Sequence, residues 1–233
     1  ADGTWSGVPG RRRAVRILQR AGIRPGTLGK NEICCGSVQR KIGDFRLADD
    51  LMRKNIRLLN STGCKKIVTL CAGCYNTLHN EYAEAEAPLT AGVYHLVSFL
   101  AELLREKKLV LQTPQQLKVV YHDPCHLGRH AGIFNPPRDV LKAIPGVELI
   151  ERRATREHTI CCGAGGGMRL FANGALATTI GTEAVREAQK SGAQAFVSAC
   201  PFCELNLASA SQGLTEPLPV YDIVDLVYAS LEG

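Results

Sequence analysis

The chain has 233 residues, of which 45% are hydrophobic, and carries a net charge of +6. That length supplies one large domain or two small ones. No stretch reaches the roughly 18 apolar residues of a membrane-spanning helix, the opening residues do not read as a secretory leader, and a mild basic excess without basic–aromatic interleaving argues against nucleic acid as a partner.

Taken in order, Pro9 suits the first turn of a helix over residues 11–21. Ala14, Val15, Ile17, Leu18 and Ala21 share one face of it, and Gly22 ends it. Residues 23–28 are expected to hold a short strand. A turn-like stretch, Asn31-Glu32-Ile33-Cys34-Cys35-Gly36, carries an adjacent cysteine pair. A helix over 45–60 follows, with Leu47, Leu51, Ile56 and Leu59 as core positions, and Ser61-Thr62-Gly63 breaks it. Lys66-Ile67-Val68-Thr69-Leu70 is a β-rich run that ends directly in Cys71-Ala72-Gly73-Cys74. A helix is expected from near Tyr75, a strand over 93–96, a helix to Leu109 and a linker over 110–116.

The same order then recurs. A strand over 117–121 runs into His122-Asp123-Pro124-Cys125, followed by a helix over 137–144 and a strand over 147–150. Cys161-Cys162-Gly163 precedes a long helix that ends before Ser191-Gly192. A strand over 195–199 leads into Cys200-Pro201-Phe202-Cys203, then a helix, a strand over 220–222 and a final helix. Cys161 lies 127 residues after Cys34, and Cys200 and Cys203 lie 129 after Cys71 and Cys74. The chain therefore reads as two tandem modules, 1–109 and 117–233, joined by the linker. Strand–helix alternation predicts an α/β fold in which each module is a small parallel sheet flanked by helices. Its cysteines would stand at the strand C-terminal ends, where such sheets hold ligands.

Ten cysteines without a secretion signal favour metal or redox chemistry in the cytoplasm over a disulfide framework. Thiolates select zinc, copper(I) or iron–sulfur clusters. A Cys-x2-Cys pair alone does not choose between zinc and iron–sulfur. The adjacent pair does, because neighbouring side chains diverge and reach different irons of a cluster more readily than one small ion. The second module offers five thiols, Cys125, Cys161, Cys162, Cys200 and Cys203, one more than an ordinary zinc or cubane site uses. The first offers Cys34, Cys35, Cys71 and Cys74. The repeat offset puts its missing thiol near position −2, before the first residue given, with the matching strand earlier still. The expectation is a chain that continues upstream, or one in which Asp2 stands in for the cysteine.

The duplicated Cys-Cys-Gly and Cys-x2-Cys strings resemble the cysteine-rich CCG domain. The stretches from Tyr121 to Arg129 and from Ile160 to Met168 resemble the D-type branch of heterodisulfide reductase, alongside the iron–sulfur subunits of glycolate oxidation. The resemblance implies a non-cubane 4Fe–4S cluster on the five thiols of the second module. It implies a second cluster, or zinc, on the four thiols of the first. It further implies electron transfer as a subunit of a redox complex, with a flavoprotein or ferredoxin-like partner and a disulfide or thiol substrate. Membrane association would come only through partners. The rival readings are a relay subunit of a 2-hydroxyacid oxidase-type complex with no substrate of its own, and a zinc-bearing scaffold. The ferredoxin-like cysteine run that many D-type relatives carry is not in this sequence.

Around Cys125, His122 and His126 are candidate proton donors or hydrogen-bond donors to sulfur, while His130 reads as loop chemistry. Asp123-Pro124 reads as a turn device. Arg129 and Arg169 are candidates to offset cluster charge. Cys64, opposite Ala193 in the repeat, reads as a small core residue.

Overall fold

The structure, a computed structural model, describes residues 9–231, so Asp2 lies outside the described residues. The first module runs α1 (Pro9–Arg20), α2 (Ser37–Lys41), α3 (Phe45–Ser61), β1 (Lys66–Thr69), α4 (Ala72–Asn76), β2 (Gly92–His95) and α5 (Leu96–Arg105). The second runs β3 (Leu117–His122), α6 (Asn135–Ala143), β4 (Val147–Ile150), α7 (Gly174–Gln189), β5 (Ala195–Ser198), α8 (Pro201–Gln212), β6 (Val220–Asp222) and α9 (Ile223–Ala229). The expected architecture of two small parallel sheets flanked by helices is what the chain adopts.

The sheets are unequal. The second module has four parallel strands in the order β4-β3-β5-β6, and the first has two, β1 beside β2. By the 129-residue repeat, β1 corresponds to β5, and β2 to β6. Val68 thus answers to Val197, which pairs with Tyr121 of β3. Among the described residues, no strand pairs with β1 on the edge where β3 pairs with β5.

The strand expected over 23–28 does not form. Gly22 at φ 76° ends α1 in a left-handed turn, with its N–H on Gln19 O and the Ile23 N–H on Leu18 O, both at 3.0 Å. That is a Schellman closure, which engages Ile23 in the helix cap. Pro25 and Gly26 then deny the segment a ladder.

One apolar core runs through both modules. It joins Ile17 of α1 and Leu100 of α5 to Val119 and Phe196 of the larger sheet and Val227 of α9. Helix α1 packs on α9, and α5 on α6. The segment 110–116 is tied down as well. Gln112 and Thr113 donate backbone N–H groups to Ser230 O, and Gln115 donates to Pro145 O. No helix among the described residues is long and apolar enough to cross a membrane.

Candidate metal centre

Each adjacent cysteine pair sits in the same backbone device. Gly36 and Gly163 follow the pairs at φ 82° and 85°, a region that glycine enters without strain. The turn aims the Gly36 N–H at Cys34 Sγ, 3.5 Å away, and the Gly163 N–H at Cys161 Sγ, 3.3 Å away. The next N–H in each case, of Ser37 and of Ala164, serves the second thiol of the pair. Consecutive N–H groups in such a turn make a concavity that favours negative charge. The glycines also let a helix close down. A β-carbon would meet Ala48 O of α3 at 3.2 Å in the first module and Ala177 O of α7 at 2.4 Å in the second.

Side-chain donors lock the pairs in place. Asn55 donates to Cys34 O at 2.8 Å, and the Tyr82 hydroxyl donates to Cys35 O at 2.9 Å. In the second module Asn206 alone donates to both Cys162 O and Ala177 O, and Arg169 donates to the Asn206 carbonyl. Arg169 therefore braces a brace.

The Cys-x2-Cys pairs come directly off β1 and β5. Cys71 and Cys200 are the extended residues that precede α4 and α8. Their thiols receive the backbone N–H groups of Cys74 and Cys203, donors of a first helical turn that have no partner within the helix. At Cys200, hydrogen bonds from Cys203 and Cys71 and this N–H pull the thiol toward thiolate, whereas at Cys71 the hydrogen bond with Cys200 and burial outweigh it and push the thiol up.

These four loops, with the one after β3 that carries Cys125, bring nine of the ten cysteines into one file. The thiol contacts run Cys34, Cys35, Cys74, Cys71, Cys200, Cys203, Cys162, Cys161, Cys125. Cys35 and Cys74 are 3.3 Å apart at sulfur. The modules meet in the middle of the file, at Cys71 and Cys200, where Cys200 also takes the Ala72 N–H. Three thiols are pushed toward the thiolate, each by hydrogen bonds from the two cysteines flanking it in the file: Cys35, Cys200 and Cys161. The sequence brought these residues into two sets; their junction across the modules was not readable from spacing. The file borders a cavity of about 1240 Å³ whose walls include Cys35, Cys71, Cys125, Cys162, Cys200 and Cys203. Cys64 is half-buried on the cavity wall and outside the file.

The loop carrying Cys125 rests on an ionic network. Arg138 of α6 and Asp123 are both 2% exposed and pair through two hydrogen bonds of 2.7 and 2.9 Å. Glu151 adds a second carboxylate to Arg138, and the Arg156 N–H donates to Asp123 at 2.8 Å. Asp123 is thus an ion-pair anchor as well as a turn residue. Arg129 braces the neighbouring loop by donating to Glu157 O and Thr159 O.

The histidines separate by depth. His126 lines the cavity, with Nδ1 3.8 Å from Cys125 Sγ and its ring stacked on exposed His130 at 4.9 Å. Burial, Lys41 and His130 together keep its pKa below the ordinary imidazole value. His122 lies beneath the thiols at 1% exposure. Burial first, then the Arg152 charge, lowers its pKa to about 4. A ring nitrogen of His122 and the sulfurs of Cys162 and Cys203 lie within 4.8 Å of one another.

This arrangement of duplicated pairs, with one Cys-Cys-Gly and one Cys-x2-Cys loop per module, has a sequence family behind it. The profile of the cysteine-rich domain, CCG, matches residues 9–79 and again 119–208. The chain belongs to the CCG family. Among its relatives, it is 38% identical over 222 residues to the D-type subunit of dihydromethanophenazine:CoB–CoM heterodisulfide reductase from Methanosarcina barkeri. That match covers 93% of this chain and 54% of the relative. The corresponding protein of Methanosarcina mazei is 36% identical with the same coverage. An EtfAB:quinone oxidoreductase of Syntrophomonas wolfei is 35% identical over 94% of this chain and 31% of its own length. The chain spans about half the length of the heterodisulfide reductase relatives it matches.

Proposed function

We propose that this chain is an iron–sulfur subunit of a larger redox complex, in which Cys125, Cys161, Cys162, Cys200 and Cys203 hold a non-cubane 4Fe–4S cluster and electrons pass to a disulfide substrate. The observation that carries this reading is the unbroken file of nine cysteine sulfurs beside one cavity between the modules. The donor set fits such a group. It is soft, it is rich in thiols, three of which (Cys35, Cys161 and Cys200) are held toward the thiolate by their neighbours, and backbone N–H groups point at Cys34, Cys161 and their neighbours. When bound, the cluster supplies one-electron transfer.

The chain's own residues supply the rest. Cys34, Cys35, Cys71 and Cys74 form a second, four-thiol site for a cluster or zinc. The cavity extends well past the thiols to Leu18, Leu28, Ile67 and Phe99, which leaves an apolar chamber for a disulfide. Reduction of a disulfide takes two electrons and two protons to give two thiols. Electrons would come from a flavoprotein or a ferredoxin-like partner. His126, on the cavity wall next to Cys125, is the better placed of the two candidate histidines to hand over a proton. The names of the heterodisulfide reductase relatives support the disulfide. Work in the cytoplasm, with any membrane contact made by partner subunits, belongs to the same reading.

Zinc has one observation in its favour, the His122, Cys162 and Cys203 grouping, which matches the nitrogen and sulfur donors of structural zinc sites. Analysis of anaerobically purified protein for iron, acid-labile sulfide and zinc separates the two. Iron with matching sulfide is expected; zinc without sulfide defeats the cluster reading. Cys162→Ala should lose the second-module cluster, and an unchanged absorption spectrum would remove Cys162 from the ligand set. Electron transfer to a partner with no disulfide reduced would favour the relay.

A further inference from the structure

We propose that the imidazole of His122 is a positioning group for the second-module cluster, donating an N–H hydrogen bond to the sulfurs of Cys162 and Cys203. This rests on the cluster reading and adds to it a residue outside the five thiols.

His122 carries an unpaired atom. His122 is the last residue of β3 and pairs in register with Ser198 of β5. It is almost fully buried, yet its Nδ1 has no hydrogen-bond partner. Leaving a buried polar atom unmatched is costly, and native proteins rarely tolerate it without a ligand, ion or water to complete it. Ser198 Oγ, beside it in register and 0% exposed, is also without a partner.

The first module shows what a purely structural histidine looks like here. His95 ends β2, and both of its ring nitrogens are engaged. Nε2 lies 3.1 Å from Leu70 O, and Nδ1 accepts the Val97 N–H at 3.3 Å. His122 has no such closure. Its ring is nevertheless held, edge-on to Phe196 with centroids 5.7 Å apart, while Arg152 covers Phe196 at 4.9 Å. The held ring keeps one nitrogen within 4.8 Å of both cysteine sulfurs.

An imidazole has at least one N–H to donate in either protonation state. Five thiolates already outnumber the four irons, so a donor is more useful here than another ligand. N–H donors to cluster sulfur favour the more negative, reduced state. Removing the donor should make reduction harder.

The test compares wild type, His122→Phe and His122→Gln, each loaded anaerobically with iron and sulfide. All three should bind equal iron and sulfide. In His122→Phe the ratio of oxidised to reduced cluster at a fixed potential should rise about tenfold, equivalent to about 59 mV on a one-electron couple. His122→Gln, which keeps an N–H, should restore most of the shift. An unmoved potential in loaded His122→Phe overturns the proposal. A second measurement covers variants that fail to load. In the His126→Gln background labelled with 15N-histidine, pulsed paramagnetic resonance of the reduced cluster should show a weak nitrogen coupling. No coupling, or one as strong as an iron–nitrogen bond gives, overturns the donor role. A wild-type chain that takes up no iron and sulfide instead defeats the cluster reading, and this proposal with it.

Discussion

At Gly163 the backbone turns through φ 85°, and the carbonyl of Ala177 lies 2.4 Å from where a β-carbon would stand. Gly163→Ala meets both obstacles at once, a left-handed conformation and a backbone atom that cannot step aside. The strain alone costs about 1–3 kcal/mol. Relief requires moving α7 or the turn that aims N–H groups at Cys161 and Cys162. The expected result is a lower melting temperature and loss of second-module iron. Gly36→Ala, with Ala48 O at 3.2 Å, should be the milder change; equal losses in the two variants would contradict this account. His95 gives a pH dependence. Burial lowers its pKa from 6.5 to about 4, outweighing the Cys200 charge and the Leu70 and Ala199 carbonyls, which pull the other way. Above pH 6.5 the ring is neutral folded or unfolded and contributes nothing. Below it the unfolded chain takes a proton that the folded chain refuses, so stability falls as pH drops toward 4. Between pH 7 and 5 this amounts to about 2 kcal/mol. Denaturant midpoints of the metal-free chain should fall less steeply over that range in His95→Asn, and parallel slopes would remove His95 as the cause. At this scale the sequence was most readable where chemistry and spacing coincide, at the nine cysteines and the two glycines. It was least readable where a side chain serves another residue. Nothing local in the sequence says that Arg138 reaches back to Asp123, or that Asn206 holds the Cys162 carbonyl.

Elements were readable where a β-rich run ends in a cysteine, because the run and the thiol mark the same boundary. Thus β1, β3 and β5 lie where pattern and motif agreed. Residues 23–28 have strand-like apolar character but form no strand, because the cap that follows Gly22 engages Ile23 and Pro25-Gly26 then interrupt the run. The comparison of β1 with β5 yields an expectation of its own. Alternation along a parallel strand sends the amides of successive residues to opposite edges. Phe196 donates toward β6, to Pro219 O, so Val197 faces β3 and its counterpart Val68 faces the edge without a neighbour. The Val68 amide should therefore exchange with deuterium far faster than that of Val197. Supplying a strand that ends in a cysteine upstream of the described residues, as β3 ends before Cys125, should slow it and raise first-module iron. Equal protection of the two amides in this chain would mean that the β1 edge is already covered.

The whole molecule is more than two copies of a module in series. The sulfur file crosses from one module to the other at Cys71 and Cys200. The core does the same, with Ile17 and Leu100 in one cluster with Phe196 and Val227. Arg13 pairs with Asp225 and Arg16 with the Tyr228 hydroxyl, so α1 is bound to α9 through polar contacts as well as apolar ones. Sequence repetition reveals duplication readily, since each copy must rebuild the same loops. It is silent on the face between copies, where partners lie some two hundred residues apart, as Arg13 and Asp225 do. That shared face sets how the chain unfolds. Modules with separate cores melt separately, whereas a core shared across both forces them to melt together. Calorimetry of the metal-free chain should give one transition with equal calorimetric and van't Hoff enthalpies. Cleavage within 110–116, where Gln112 and Thr113 are held on Ser230 O, should leave the halves bound through the intermodule core. Two resolved transitions, or halves that part on a sizing column, would show that each module stands on its own core, and the junction at Cys71 and Cys200 would then be a contact between independent units.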